Sequence, residues 1–275
     1  MEVHFWGVRG SIAVSGQPYV RTGGNTTCVE LRCGEERLIL DGGTGLRSLG
    51  ASLGFAPLRA TLLFSHLHWD HIQGVPFFAP AFNQSSDLTI VGLERSTGTI
   101  REALSLQMRP PTFPIALPAL VGARRFVDLR RGEPREFGPF RVFPLEQDHP
   151  DGVVAYRIEA GGRSVVFATD CEHKDGPDAR LRELALGVDL LIHDAQYTRD
   201  EYEGRAGPSR RGWGHSMIDD AVLLARQAGV GRLCLFHHDP ARGDDAVDAL
   251  ERAAQAEWPS TQAAREGDVV CLQAA

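Results

Sequence analysis

Short apolar runs, each closed by glycine or by a knot of polar side chains, recur along the whole chain. Runs over residues 3–8, 27–32, 37–40, 58–64 and 88–92 predict strands in its first third. Runs over 140–145, 153–159, 164–168, 190–193, 232–236 and 268–272 predict more beyond it, and Gly161-Gly162 predicts a hairpin turn between two of them. Helical spacing marks 96–108 with Ser96 as cap, 216–228 with Ser216 as cap and Gly229 as stop, and 244–257. The proline-rich stretch 109–118 excludes regular helix and central strand. Asp41-Gly-Gly-Thr-Gly45 ends a strand in a turn that permits close backbone approach. It lacks the G-x-G-x-x-G spacing and the lysine of a phosphate-cradling loop. No repeat or linker-like shift interrupts this order, which predicts one layered α/β domain over 1–275 with an apolar, proline-rich insert at about 76–118.

Composition narrows the class. At 275 residues and 43% apolar content the chain can bury a proper core. A net charge of -7 and a pI near 5.8 give no general attraction to nucleic acid or to an anionic membrane, although a local basic patch is compatible with both numbers. Five cysteines, an odd number without a close CxxC pair, fit reduced thiols rather than a secreted disulfide framework. The chain shows no signal-peptide pattern and no apolar run long enough to span a membrane, so the expected location is the cytoplasm.

The strand over 58–64 runs directly into Ser65-His66-Leu67-His68-Trp69-Asp70-His71, which gathers three of the ten histidines of the chain. Residues two apart on an extended segment project to one side, so His66 and His68 can grip one ion from the strand end. If the chain coils after them, Asp70 and His71 face a second ion, as a two-metal hydrolase requires. Further candidates follow other strands: His149 in Gln147-Asp148-His149-Pro150, Asp170 after 164–168, and His237 in Phe236-His237-His238-Asp239. Any one of them alone would ordinarily be a turn or capping residue. Together they predict ligands converging on one edge of a sheet.

With its H-x-H-x-D-H signature and these later residues, the sequence resembles the metallo-β-lactamase fold superfamily over essentially its whole length. The resemblance implies a four-layer αββα sandwich. In it His66, His68 and His149 would bind a first divalent ion, Asp70, His71 and His237 a second, and Asp170 would bridge both. Leu191-Ile-His-Asp-Ala-Gln-Tyr197 and Gly214-His215-Ser216 are similar to segments of the branch that holds transfer-RNA 3′-end endonucleases (RNase Z-like) and small phosphodiesterases. Met217 stands where those proteins carry threonine. Phe5-Trp6-Gly7-Val8-Arg9-Gly10-Ser11 and Gly23-Gly24-Asn25-Thr26 resemble a bacterial cyclic-nucleotide phosphodiesterase-like subgroup, near the anti-Pycsar enzymes. The basic RNA-gripping arm of the transfer-RNA enzymes has no counterpart in the apolar stretch 76–118. With the acidic charge, this favours a small anionic phosphodiester and disfavours long nucleic acid.

The expected activity is hydrolysis of cyclic nucleotides or other small phosphodiesters, with hydroxide bridging two ions as the nucleophile and Asp170 and Asp70 fixing its position. His215, oriented by Asp194, would give the leaving alkoxide its proton. Zinc suits the histidine-rich set, and manganese or iron also fits mixed nitrogen and oxygen donors. The alternatives are RNA 3′-end processing, thioester or lactam hydrolysis on the same fold, and a non-catalytic metal-binding regulator. A homodimer is implied by the resemblance alone. His173 and His193 are candidates for orienting ligands, while His4 reads as structural and His238 faces away from His237 in the strand sense. Cys171 adjoins Asp170 and, in the strand sense, points the other way. Trp69 or Phe113 are candidates for stacking a base, and Arg210 or Arg211 for reaching a phosphate.

Overall fold

A computed structural model describes residues 1–94, 98–130 and 132–273. The first apolar runs form β1 (Glu2–Gly7), β2 (Cys28–Cys33), β3 (Glu36–Leu40), β4 (Arg59–Leu63), β5 (Asp87–Leu93) and β6 (Ala123–Leu129). The later runs form β7 (Arg135–Phe137), β8 (Phe140–Gln147), β9 (Val153–Ala160), β10 (Arg163–Ala168), β11 (Leu190–Asp194), β12 (Leu233–Phe236) and β13 (Thr261–Ala263). A last strand, β14 (Val269–Cys271), returns to the first sheet beside β1. The sheets are ordered β14-β1-β2-β3-β4-β5-β6 and β13-β12-β11-β10-β9-β8-β7. Strands β3 to β6 run parallel, as do β10 to β13. Because β9 is antiparallel to both β8 and β10, β8 points the same way as β10.

Period-two alternation assigns each strand two faces. Phe5, Leu31, Leu38, Leu63 and Val91 of the first sheet meet Phe140, Val142, Tyr156, Val165, Ile192 and Phe236 of the second in a core between the sheets. The neighbouring residues face outward. Ile39, Leu62 and Ile90 pack under α1 (Thr44–Leu53) and α3 (Ile100–Gln107). Val166, Leu191 and Leu235 pack under α4 (Ala179–Leu184), α6 (Ile218–Ala228) and α7 (Asp244–Glu257). The result is a helix–sheet–sheet–helix sandwich, the four-layer α/β architecture that the family resemblance implies. Two short helices, α2 (Trp69–Ile72) and α5 (Arg199–Glu203), lie outside these covering layers and shape the loops at one sheet edge.

Several local expectations change. Helix α1 continues out of the glycine turn at Asp41–Gly45, where three glycines in four residues argue against helix by propensity. Burial of Leu46 and Leu49 against the sheet overrides that preference. A side chain at Gly45 would run into the backbone of Trp6, which explains the glycine there. Helix α3 starts at Ile100 with Thr99 and Glu102 forming a reciprocal capping box, and Ser96 lies outside the described residues. Ser216 does not cap α6, whose N-cap is Met217. Its hydroxyl donates instead to the Cys171 carbonyl at 2.5 Å. The stretch 76–118 supplies β5 and α3, so much of it is built into the first sheet and its covering layer. Gly161 and Gly162 do form the β9–β10 turn, with φ of 57° and 70°.

One side chain couples the sheets at the edge where the histidines lie. The Tyr156 hydroxyl, buried on β9, donates to the Phe64 carbonyl at 2.7 Å, immediately before Ser65. Tyr156→Phe leaves that buried carbonyl without this donor and is expected to cost about 1–3 kcal/mol. Urea unfolding should show a lower midpoint at unchanged slope, and an unchanged midpoint would contradict the assignment.

Candidate metal centre

Strands β3, β4, β8, β10, β11 and β12 all point toward the same edge of the sandwich, and each hands a polar residue to it. Asp41 follows β3, His66 to His71 follow β4, and His149 follows β8. Asp170 follows β10, Asp194 ends β11 and His237 follows β12. The chain coils after His68, which is the N-cap of α2, and this turns Asp70 and His71 away from the direction of His66 and His68.

Two groups result. Ligand atoms of His66, His68 and His149 lie within 4.8 Å of one another, and the same holds for Asp70, His71, Asp170 and His237. Asp170 faces both. Its Oδ1 is 3.2 Å from His71 Nε2 and 3.1 Å from His237 Nε2, while its Oδ2 is 3.7 Å from His66 Nε2 and 4.0 Å from His149 Nε2. Asp70 Oδ2 closes the second group at 3.2 Å from His71 Nε2 and 3.3 Å from His237 Nε2. His149 Nε2 lies 3.1 Å from His68 Nδ1 in the first.

The inward-facing nitrogens are selected by hydrogen bonds on the other side of the rings. Asp41 Oδ2 accepts from His71 Nδ1 at 2.8 Å and from the Ser65 hydroxyl at 2.7 Å, and that hydroxyl also contacts His66 Nδ1 at 3.1 Å. His149 Nδ1 donates to the Gly214 carbonyl at 2.8 Å, and His237 Nδ1 to Gln196 Oε1 at 2.9 Å. The Ser11 amide donates to Asp70 Oδ2 at 2.8 Å. Sequence reasoning gave Asp41, Ser65, Gln196 and Ser11 no role in the site. The one signal available was a carboxylate at a strand end beside a glycine turn. Gly214 has to be glycine, since its φ is +87° and a Cβ there would collide with the His149 ring. A Cβ at Gly10 would likewise strike His237.

Electrostatics and unmet bonding capacity both fit cations at this position. His66 Nε2 and His71 Nε2 are buried and have no hydrogen-bond partner among the described residues. Burial holds the His66 and His149 imidazoles below their usual range, His66 well below it, and a neutral imidazole is the form that ligates metal. Burial also opposes charge on His71, but Asp170, Asp70 and Asp41 outweigh it and hold that imidazole well above its usual range. A divalent cation held by His71 and the same carboxylates would supply that positive charge in place of the proton. Burial opposes ionisation of Asp170, yet His237, His71 and His66 keep its carboxyl well below the ordinary carboxylate range. The donor set of imidazoles and carboxylates suits divalent ions.

His215 stands beside this centre. Its Nδ1 is 2.8 Å from Asp194 Oδ2 and 3.9 Å from Asp170 Oδ2, and its ring stacks on His237 with centroids 5.0 Å apart. Burial disfavours the charged form, but Asp194, helped by Asp170 and Asp70, outweighs burial and raises the imidazole to about 9. The other candidates fall elsewhere. His193 Nδ1 donates to the Asp194 carbonyl at 2.6 Å, and its Nε2 meets His173 Nε2 at 3.1 Å, so this pair backs the strand end that holds Asp194. Burial pushes the Cys171 thiol well up, and its sulfur lies 3.6 Å from His193 Nε2. His238 turns away from His237 to the Ala264 carbonyl, and His4 pairs with Glu2. Phe113 packs edge-on against Phe77, whereas Trp69 is 73% exposed between His68 and Asp70. A cleft of about 680 Å³ lies at the opposite ends of the strands, near Arg59, Asp87 and Arg125, away from this chemistry.

Two outcomes test the geometry. Asp170→Ala should reduce bound metal to one ion or none by elemental analysis, and full two-ion occupancy would refute its position between the groups. Asp41→Ala should weaken metal binding roughly 10- to 100-fold while the far-ultraviolet circular dichroism stays that of the parent. Unchanged affinity would deny Asp41 its orienting role.

Comparison with known proteins agrees with the fold. The sequence profile of the beta-lactamase superfamily domain matches residues 36–238. Ribonuclease Z from Mycobacterium avium (strain 104) is 28% identical over 230 residues, covering 77% of this chain and 79% of the relative. The metallo-beta-lactamase fold protein YhfI from Bacillus subtilis superposes with a TM-score of 0.74 at 21% identity, covering 98% of each chain. A diphosphatase of the PhnP family gives a TM-score of 0.70 at 17% identity, over 98% of this chain and 96% of that one. The chain therefore belongs to the beta-lactamase superfamily, within the metallo-β-lactamase branch that includes ribonuclease Z, and it is a metal-dependent hydrolase.

Proposed function

We propose that the protein is a phosphodiesterase that hydrolyses small anionic phosphodiesters, cyclic nucleotides among them, with His66, His68 and His149 holding one divalent ion, Asp70, His71 and His237 a second, and Asp170 shared. The observation that carries this reading is the Asp194–His215 pair, 2.8 Å apart and directly beside Asp170. A protein that only stores metal has no use for a proton donor held at that place. Bound there, the ions supply Lewis-acid charge for the phosphoryl oxygens and lower the pKa of water.

The chain's own residues do the rest. Asp194 keeps the Nδ1 proton of His215 and stabilises its charged form, which leaves the Nε2 proton for the departing alkoxide. After that transfer the neutral ring retains its Nδ1–H bond to Asp194, so its orientation is kept for the next turnover. Asp194 is itself fixed, because its Oδ1 accepts the Gln196 and Ser216 amides at 3.0 and 3.3 Å. The histidine-rich donors favour zinc. Five free cysteines suit a reducing compartment such as the cytoplasm. A net charge of -7 favours a small substrate over a long polyanion.

A second reading, RNA 3′-end processing, draws on the ribonuclease Z relatives. Turnover of cyclic mononucleotides, bis(p-nitrophenyl) phosphate and precursor transfer RNA in parallel, with and without chelator, separates the two. Chelator-sensitive hydrolysis of the small esters is expected, and cleavage of the RNA alone would overturn the first reading. His215→Ala should keep its metal but lose most turnover on esters with poor leaving groups, by roughly 10²- to 10⁴-fold. An activated aryl ester should lose far less. Equal losses on both would deny His215 the proton-donor role.

A further inference from the structure

Arg210 carries a charge that the metal-facing residues do not use. It lies in the loop that joins α5 to His215, half-buried, with its guanidinium carbon 4.4 Å from the Trp213 ring centre and 5.7 Å from that of Tyr197. Tyr197 in turn stands edge-on to His215, with ring centroids 5.8 Å apart. Arg199, Arg205 and Arg242 are neutralised by Asp219, Asp200 and Glu201, while the neighbouring Arg211, exposed, lies over the ring of Tyr202 instead. Among the described residues the Arg210 guanidinium has only the two aromatic rings.

The loop is held firmly enough to place that charge. The Gly212 and Gly214 amides donate to Glu172 at 2.7 and 3.1 Å, and the Tyr202 hydroxyl donates to the same carboxylate at 2.6 Å. The Arg210 amide and the Ser209 hydroxyl both donate to the Tyr202 carbonyl, at 3.1 and 3.0 Å. Trp213, half of whose surface remains exposed, forms the outer wall. A guanidinium gripped through its flat face keeps its edge donors available, and those match two oxygens of a phosphate in a fork. In a chain of net charge -7, a cation without a carboxylate partner, separated from His215 by the Tyr197 ring, has an anionic ligand as its natural complement.

We propose that Arg210, braced by Trp213 and Tyr197, is the anion anchor of the substrate site: it hydrogen-bonds phosphate oxygens of a nucleoside phosphate and selects such ligands over neutral ones. This deepens the phosphodiesterase reading and rests on it. The test compares adenosine 5′-monophosphate with adenosine on the metal-loaded protein by titration calorimetry, in the parent, Arg210→Met and Arg210→Lys. The parent should bind the monophosphate and lose roughly 10- to 100-fold affinity on Arg210→Met, while adenosine binds weakly and equally to both. Arg210→Lys should recover part of the loss, since it keeps the charge without the fork. It also decides the matter by its own several-fold loss if the methionine variant fails to fold. Equal monophosphate affinity in the parent and either folded variant overturns the anchor, as does a parent that binds no monophosphate. Hydrolysis of bis(p-nitrophenyl) phosphate by the parent is scored separately, so a failed anchor is distinguishable from a failed phosphodiesterase reading.

Discussion

One carboxylate facing two clusters of histidines governs this molecule. Asp170 turns Oδ1 to His71 and His237 and Oδ2 toward His66 and His149, so four strand ends from two sheets must arrive at one edge in fixed relation. The core between the sheets sets that relation, and the Tyr156 hydroxyl bound to the Phe64 carbonyl ties it down next to the first histidine. Asp170, His237 and Asp41 all have positive φ, at 51°, 59° and 59°. Each such residue costs on the order of 1–3 kcal/mol and persists only where its surroundings over-determine it. The strain sits where the chain leaves a strand and must present a side chain to the shared edge at once.

Holding so many ionisable groups together needs more than proximity. Asp41, Gln196 and the Gly214 carbonyl each engage the outward nitrogen of a histidine, which settles ring orientation and tautomer before any ligand arrives. Asp194 does the same for His215, and Glu172 pins the loop that brings Gly214 and His215 to the site. The glycines at 10 and 214 belong to this design because the rings of His237 and His149 occupy the space a side chain would take.

Much of this was legible in the sequence because it is local. His66, His68, Asp70 and His71 are consecutive enough for strand and turn periodicity to place them, and alternation in the apolar runs recovered most strands to within a residue or two. Assigning His149, Asp170 and His237 to particular ions needed the family resemblance, since their meeting depends on sheet order. What stayed hidden is non-local or masked by a stronger local signal. Asp41 acts through His71, thirty positions away, and looks like an ordinary turn residue. Helix α1 hides behind three glycines whose propensity is overridden by packing. Ser216 has the look of a helix cap, yet its hydroxyl is spent on the Cys171 carbonyl. Strands β6, β7 and β13 carry too many charged or polar residues, or too few residues, to stand out from loops.

The proposed substrate end of the site is drawn from different material than the metal end: the Arg210–Trp213 stack and the loop held by Glu172. Chemistry resides in a rigid strand edge, while selectivity is left to loops around it. The proposed chemistry rests on Asp170 lying between two ions, and anomalous diffraction from crystals of the zinc-loaded protein addresses this directly. The account predicts two peaks, one bounded by His66, His68 and His149 and the other by Asp70, His71 and His237, with one Asp170 oxygen toward each. A single peak, or zinc held at Cys171, His173 and His193 instead, would contradict it.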